Sequence, residues 1–196
     1  LAAGILPVKD HTAPRIMRLH YVEVDSLGSV PVHSRPRSYD AARSGEGRYA
    51  LRQTQPVAVG RRGYFIVECS DRKDEVYNTF GVYRLTEEVD GEVRYEYRMD
   101  GFRFGDTRYC NAVSYYPMQL TSRNEVIRLT QLSGCPDTFY PMMKNRALLT
   151  TPAGMRQQVR ITAEDDCGNR STLAFTVEGK ADERSFRAPA CDSLPV

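Results

Sequence analysis

The chain has 196 residues, of which 41% are hydrophobic and 27% charged, with a net charge of +2. That length supports one generous domain or two small ones, with a core large enough to need no metal or disulfide to hold it. Its 27 basic and 25 acidic side chains are interspersed rather than massed, which excludes the basic stripe of a nucleic-acid binder. No apolar run approaches the ~20 residues of a membrane-crossing helix.

The opening LAAGILP is apolar but short, and it lacks a basic leader and a signal-peptide core. The chain does not begin with Met, so residues 1–9 read as a linker from an upstream segment of a processed or longer protein. Residues 15–24 alternate in part, with Ile16, Arg18 and His20 on one face and Met17, Leu19 and Tyr21 on the other. Residues 26–48, rich in Ser, Pro, Gly and Arg, read as a long loop with at most a short edge strand at Val30–Val32. Residues 56–69 give two apolar bursts broken by Gly60 and Gly63, either a strand pair or one strand with a bulge.

The clearest hairpin covers residues 81–99. Val93, Tyr95, Tyr97 and Met99 share one face of its second strand, and Tyr83 and Leu85 share a face of the first. A two-residue Asp90-Gly91 loop would set Leu85 against Glu96. A three-residue Val89-Asp90-Gly91 loop pairs Leu85 with Tyr95, Tyr83 with Tyr97 and Arg84 with Glu96, so the pattern predicts the longer loop with Gly91 left-handed. The tyrosines then face the core; a ligand-binding aromatic platform is the alternative. Residues 105–118 break the β pattern, and Asp106 is placed to cap a short helix. Alternation returns at 124–132, and 139–149 fits no single pattern. The last hairpin aligns Val159, Ile161 and Ala163 with Leu173, Phe175 and Val177 across the turn residues Asp165, Asp166, Gly168 and Asn169. Beyond Gly179 the chain turns polar and Pro-containing, as in a tail or linker.

Short strands with frequent turns and almost no helical periodicity predict an all-β protein. The expected fold is an immunoglobulin-like β-sandwich over residues 10–180, with a long early loop, a short helical insertion and a tail at 181–196.

Chemistry-bearing residues are sparse. The three histidines, His11, His20 and His33, stand in no HxH or HExxH pattern. His20 and Asp25 fall on opposite faces of a strand, so His20 reads as an ordinary strand residue. Sequence order leaves a Ser–His–Asp triad open, but no GxSxG elbow supports one. Asp165, Asp166 and Asn169 have oxygens suited to calcium, yet such residues usually build the turn itself. Glu87 and Glu88 read as a solvated rim beside a hairpin turn. Cys69, Cys110, Cys135, Cys167 and Cys191 contain no CxxC, which argues against a zinc ribbon or thioredoxin-type motif. Their pairing stays open, and small buried hydrophobes are an equal reading. No catalytic, cofactor-binding or metal-binding residue is expected.

Three stretches resemble a known bacterial arrangement. Residues 10–16 (DHTAPRI) resemble the opening of extracytoplasmic immunoglobulin-like domains, and residues 159–177 (VRITAEDDCGNRSTLAFTV) resemble their closing hairpin. Residues 94–109 (RYEYRMDGFRFGDTRY) resemble a segment in lysostaphin-like zinc metallopeptidases, peptidoglycan endopeptidases of Gram-negative gut-type bacteria. The matching residues are Tyr97, Met99, Asp100, Phe102, Phe104, Thr107, Arg108 and Tyr109, and the resemblance spans roughly residues 7–179. The histidine and aspartate ligands of that peptidase's zinc site have no counterpart here. The resemblance therefore implies the immunoglobulin-like companion domain, not the peptidase: an extracytoplasmic, non-catalytic module that positions or covers a neighbouring peptidase domain of the same polypeptide. Peptidoglycan or a surface protein is a further implied partner, with no nucleic acid and no membrane span. The alternative is a stand-alone binding module for a glycan or protein.

Overall fold

The structure, a computed structural model, describes residues 9–25, 35–101 and 103–180. It is mostly β. The strands in chain order are β1 (Arg15–Glu23), β2 (Arg37–Gly45), β3 (Arg48–Leu51), β4 (Val57–Val59), β5 (Arg62–Ser70), β6 (Arg84–Val89) and β7 (Glu92–Arg98). Two short helices follow, α1 (Thr107–Val113) and α2 (Tyr116–Gln119). Then come β8 (Glu125–Arg128), β9 (Met142–Met143), β10 (Leu149–Thr150), β11 (Arg156–Glu164) and β12 (Arg170–Gly179).

These strands join into one curled sheet in the order β10-β5-β1-β2-β3-β12-β11-β6-β7-β9, with β4 beside β12 and β8 beside β5. The curl brings the β1/β5 half over the β11/β12 half. Leu19, Tyr21, Phe65 and Val67 on one side share a core with Val159, Ile161, Leu173 and Phe175 on the other. Phe65 meets Phe175 edge-on, ring centroids 5.3 Å apart, the arrangement that sets one ring's positive edge on the other's negative face. A second cluster lies on the opposite face of β5. There Tyr64, Ile66, Val126 and Leu148 are covered by Tyr115 and Met118. Residues Gly63–Ser70 are consequently all buried, which is why that stretch reads as an apolar run rather than an alternation. Each fully buried Val, Ile or Phe there contributes about 1.5–3 kcal/mol of transfer free energy.

The closing hairpin buries the two expected faces side by side, with Val159 opposite Phe175 and Ile161 opposite Leu173. The 81–99 hairpin differs from expectation. Its loop is the two-residue Asp90-Gly91, both residues at positive φ (52° and 83°), as a type I′ turn demands. A bulge between Glu87 and Glu88 then shifts the register, so Leu85 faces Tyr97 and Glu87 faces Tyr95. The bulge solves the mismatch that favoured a longer loop. Tyr95 and Tyr97 are buried as expected, at 0% and 3% exposure, and form no aromatic platform. Val82 is buried with Leu85, whereas Tyr83 is half-exposed and donates to the Asp100 carboxylate.

Residues 37–51 correct the long-loop expectation. They form the β2–β3 hairpin, whose turn carries Gly47 at φ 58°; a Cβ there would stand 2.7 Å from the Arg170 carbonyl oxygen. No residue of β2 is fully buried, so it has no hydrophobic alternation to read. Pairing with β1 and β3 on its two edges holds it in place. Val30–Val32 lie outside the described residues. The 56–69 bursts are two strands that are not paired with each other, because β4 runs parallel to β12. A bulge between Ile16 and Arg18 moves Ile16 into the core with Leu19 and Tyr21. Asp106 precedes α1 at its N-cap position, but its side chain makes no cap hydrogen bond.

Candidate functional site

Two groups of buried polar side chains sit on the sheet, and both draw on β5. The first gathers at the end of the molecule where β1 begins. Arg15 pairs with Ser70, so the segment leading into β1 lies beside the segment leaving β5. The β11–β12 turn closes over the same end. Sequence positions far apart are thereby brought together: Asp10, Asp71 and Asp165, all buried, place carboxylate oxygens within 4.8 Å of one another.

Each of these aspartates has an identifiable local role. Asp10 Oδ1 accepts from the backbone N–H groups of Thr12 at 3.1 Å and Asp74 at 3.2 Å. Asp165 Oδ1 accepts from the backbone N–H of Cys167 at 2.9 Å and of Asn169 at 2.8 Å. Its Oδ2 accepts from Asn169 Nδ2 at 2.7 Å, and the same amide also donates to the Asp10 carbonyl at 3.0 Å. Asp71 exchanges backbone hydrogen bonds with Phe80, both at 2.9 Å.

What distinguishes the cluster is what its oxygens lack. Asp10 Oδ2 and Asp71 Oδ1 are buried and accept no hydrogen bond. Lys73 is the nearby cation, but its ammonium bonds Asp166 and stops 3.8 Å short of Asp10 Oδ2, beyond hydrogen-bond range. Burial pushes the Asp71 carboxyl up to about 6, with the Asp165 and Asp10 charges adding to the shift.

Outside this cluster a second ring of contacts ties down the lead-in segment. Thr12 Oγ1 donates to Asp74 Oδ1 at 2.5 Å, and the His11 backbone N–H donates to Asp74 Oδ2 at 3.1 Å. These bonds, led by that of Thr12, hold the Asp74 carboxyl down at about 2.

The second group is a row across β2, β1 and β5. His20 Nδ1 lies 2.8 Å from Ser38 Oγ, and His20 Nε2 lies 4.0 Å from Glu68 Oε2. Glu68 Oε1 accepts from Ser122 Oγ and Asn124 Nδ2, each at 2.8 Å, and Arg18 Nη1 stands 3.6 Å from Oε2. Burial lowers the His20 pKa below its ordinary value, so the ring is neutral near pH 7. The three residue types of a nucleophilic relay are therefore adjacent. The carboxylate, however, is bonded to Ser122 and Asn124, and the second imidazole nitrogen has no hydrogen-bond partner.

Among the residues singled out from sequence, Asp165 is the one whose carboxylate gathers with those of Asp10 and Asp71. Asp166 faces Lys73, and Asn169 donates rather than ligates. His11 meets Asp74 at the surface; His33 and Cys191 lie outside the described residues. Glu87 is no solvated rim: it is 2% exposed and points inward with Leu85 and Val89. Cys69, Cys110 and Cys135 are free thiols. Asp71 went unnoticed in the sequence because DRKDE looks like any charged turn.

Among the described residues no helix is long and apolar enough to cross a membrane. Comparison with protein-family models, curated proteins and solved structures found no match to this chain.

Proposed function

We propose that this chain is a non-catalytic, extracytoplasmic β module that positions a neighbouring cell-wall peptidase domain of the same polypeptide. The observation that carries this reading is the fastening of the lead-in segment. Asp10, His11 and Thr12 are bonded to Asp74 and Asn169, so a domain joined ahead of Lys9 would meet a stiff connection rather than a swivel. A positioning module acts by holding its neighbour's site in a fixed orientation, and preorganisation of that kind depends on a rigid support. The resemblance of residues 94–109 to the companion domain of lysostaphin-like peptidases supplies the neighbour's chemistry.

The test is release of soluble peptide from purified peptidoglycan. The chain alone is expected to release none, with or without added zinc. Joined behind a lysostaphin-like peptidase domain, it is expected to support cleavage that drops several-fold in Thr12→Ala, with the fold unchanged by circular dichroism. Hydrolysis by the chain alone would overturn the reading.

A second reading, a stand-alone glycan- or protein-binding module, draws on Tyr77 and Phe104, which are 99% and 97% exposed. Aromatic rings offered to solvent in this way suit sugar faces and partner pockets. Co-sedimentation with peptidoglycan that is lost in Tyr77→Ala would favour it.

A further inference from the structure

We propose that Asp10, Asp71 and Asp165 form a calcium-binding site that clamps the lead-in segment to the end of β5 and to the β11–β12 turn. The argument begins with unsatisfied oxygens. An ionised carboxylate removed from water without a partner is strongly disfavoured, and native proteins pair it, protonate it or give it a metal. Asp10 Oδ2 and Asp71 Oδ1 are both buried and both without a donor, and they belong to carboxylates close enough to Asp165 and to each other to share one ion.

Pairing is incomplete. Lys73 brings one positive charge to an end that holds Asp10, Asp71, Asp165 and Asp166, and its ammonium donates to Asp166 and to the Cys167 sulfur while standing 3.8 Å from Asp10 Oδ2. The hydrogen bonds that reach Asp10 and Asp165 come from backbone and amide N–H groups and leave Asp10 Oδ2 and Asp71 Oδ1 unserved. A cation held among the three carboxylates would serve both oxygens at once.

The donors are oxygens alone, with no imidazole or thiolate in the group, which selects a hard ion over zinc or copper. Oxygens within 4.8 Å of one another can share an ion whose bonds are about 2.3–2.6 Å long, as for calcium. Calcium also accepts an irregular, partly hydrated shell, whereas magnesium demands a near-ideal octahedron. Asp165 is already oriented for the task, since its carboxylate is locked by three donors of its own turn. Supporting bonds of that kind fix a ligand in place before the ion arrives.

The test uses the full chain stripped with EDTA. Titration calorimetry with calcium chloride should give one site per chain, and the midpoint of thermal unfolding should rise by roughly 5–10 °C at a hundredfold excess over Kd. Asp71→Asn and Asp10→Asn keep the side-chain shape and should lose the calcium-dependent rise while still unfolding cooperatively in EDTA. Magnesium chloride at the same concentration should give a much smaller shift. No heat and no shift with calcium in the unmutated chain would overturn the proposal, whatever the variants do. An equal response to magnesium would overturn the assignment to calcium. Because the readout is binding and stability, failure here leaves the peptidoglycan test of the proposed module untouched.

Discussion

Glu68 and Asp71 stand three residues apart on one stretch of chain, both buried, at 6% and 3% exposure, yet their surroundings differ. Glu68 lies within β5, where neighbouring segments can present side chains to it, and its oxygens meet Ser122, Asn124 and Arg18. Asp71 lies just past the strand end, where three separate segments converge and each contributes a carboxylate. Its Oδ1 is left without a donor. The same functional group at nearly the same burial is a closed structural element in one place and an open ligand in the other. Glu87 shows a third outcome. It is buried on the face of β6 that carries Leu85 and Val89, with Oε1 unpartnered, and burial, tempered by Arg94, pushes its carboxyl up to about 8. Buried acidity by itself therefore says little about function; what matters is whether several unsatisfied oxygens point at one spot.

The largest effect expected along this comparison comes from Asp165→Ala. It removes the acceptor for Cys167 N, Asn169 N and Asn169 Nδ2 together, and a hydrogen bond to a charged group contributes about 1.5–3 kcal/mol, less where, as at Cys167, the donor is open to water. The loss should be roughly 4–5 kcal/mol, or at least 10 °C in the midpoint of thermal unfolding, with calcium no longer protective. A fall below about 3 °C would mean that the turn holds its shape through its backbone alone.

Next in size is the pH response of Glu87. The folded chain binds its proton more tightly than the unfolded chain, in which glutamate titrates near its ordinary 4.5. Its contribution is thus fully present below pH 4.5 and is lost as pH rises toward about 8. Glu125, pushed up to about 7 by burial, acts in the same direction, while His20, lowered by burial, acts in the opposite one. Urea unfolding in EDTA at pH 5 and pH 9 isolates Glu87 by difference: Glu87→Gln should abolish roughly 3 kcal/mol of the pH-dependent loss. An unchanged pH profile would show that Glu87 is ionised and solvated in the folded chain.

What could be read from sequence follows the same divide. The closing hairpin was legible residue by residue because Val159, Ile161, Leu173 and Phe175 alternate on long paired strands, and one buried face specifies register. The buried side of Tyr95 and Tyr97 was legible for the same reason. The register of that hairpin was not, since the bulge at Glu87 and Glu88 leaves no compositional mark. β2 was invisible because it draws on edge pairing rather than burial. For the acidic cluster, DHTAPRI and the EDDCGNR turn stood out separately as motifs. Their meeting with Asp71 depends on β1 lying antiparallel to β5, a pairing between positions about fifty residues apart that no local pattern encodes.

Within the Glu68 network a smaller effect separates its partners. Asn124→Ala removes a 2.8 Å donor to a part-buried carboxylate. It should cost about 1–2 kcal/mol, because the remaining hydroxyl of Ser122 cannot replace it on the same oxygen.

Arg18→Ala should matter least, although Arg18 touches two carboxylates. Its guanidinium is half-exposed, donating directly to Asp40 at 2.8 Å at the surface and reaching Glu68 only at 3.6 Å. In water-accessible surroundings the Coulomb gain is screened, and the long side chain loses rotamer freedom in holding the pair together. The expected fall in the thermal midpoint is less than about 2 °C, shrinking further in 0.5 M salt as screening shortens the reach of the charges. If Arg18→Ala instead cost as much as Asn124→Ala, the Glu68 charge would be balanced by the arginine rather than by its neutral donors. Glu68 would then resemble Asp71, a buried carboxylate whose balance depends on an external cation, and the contrast between these two neighbouring carboxylates would reduce to which cation each one holds.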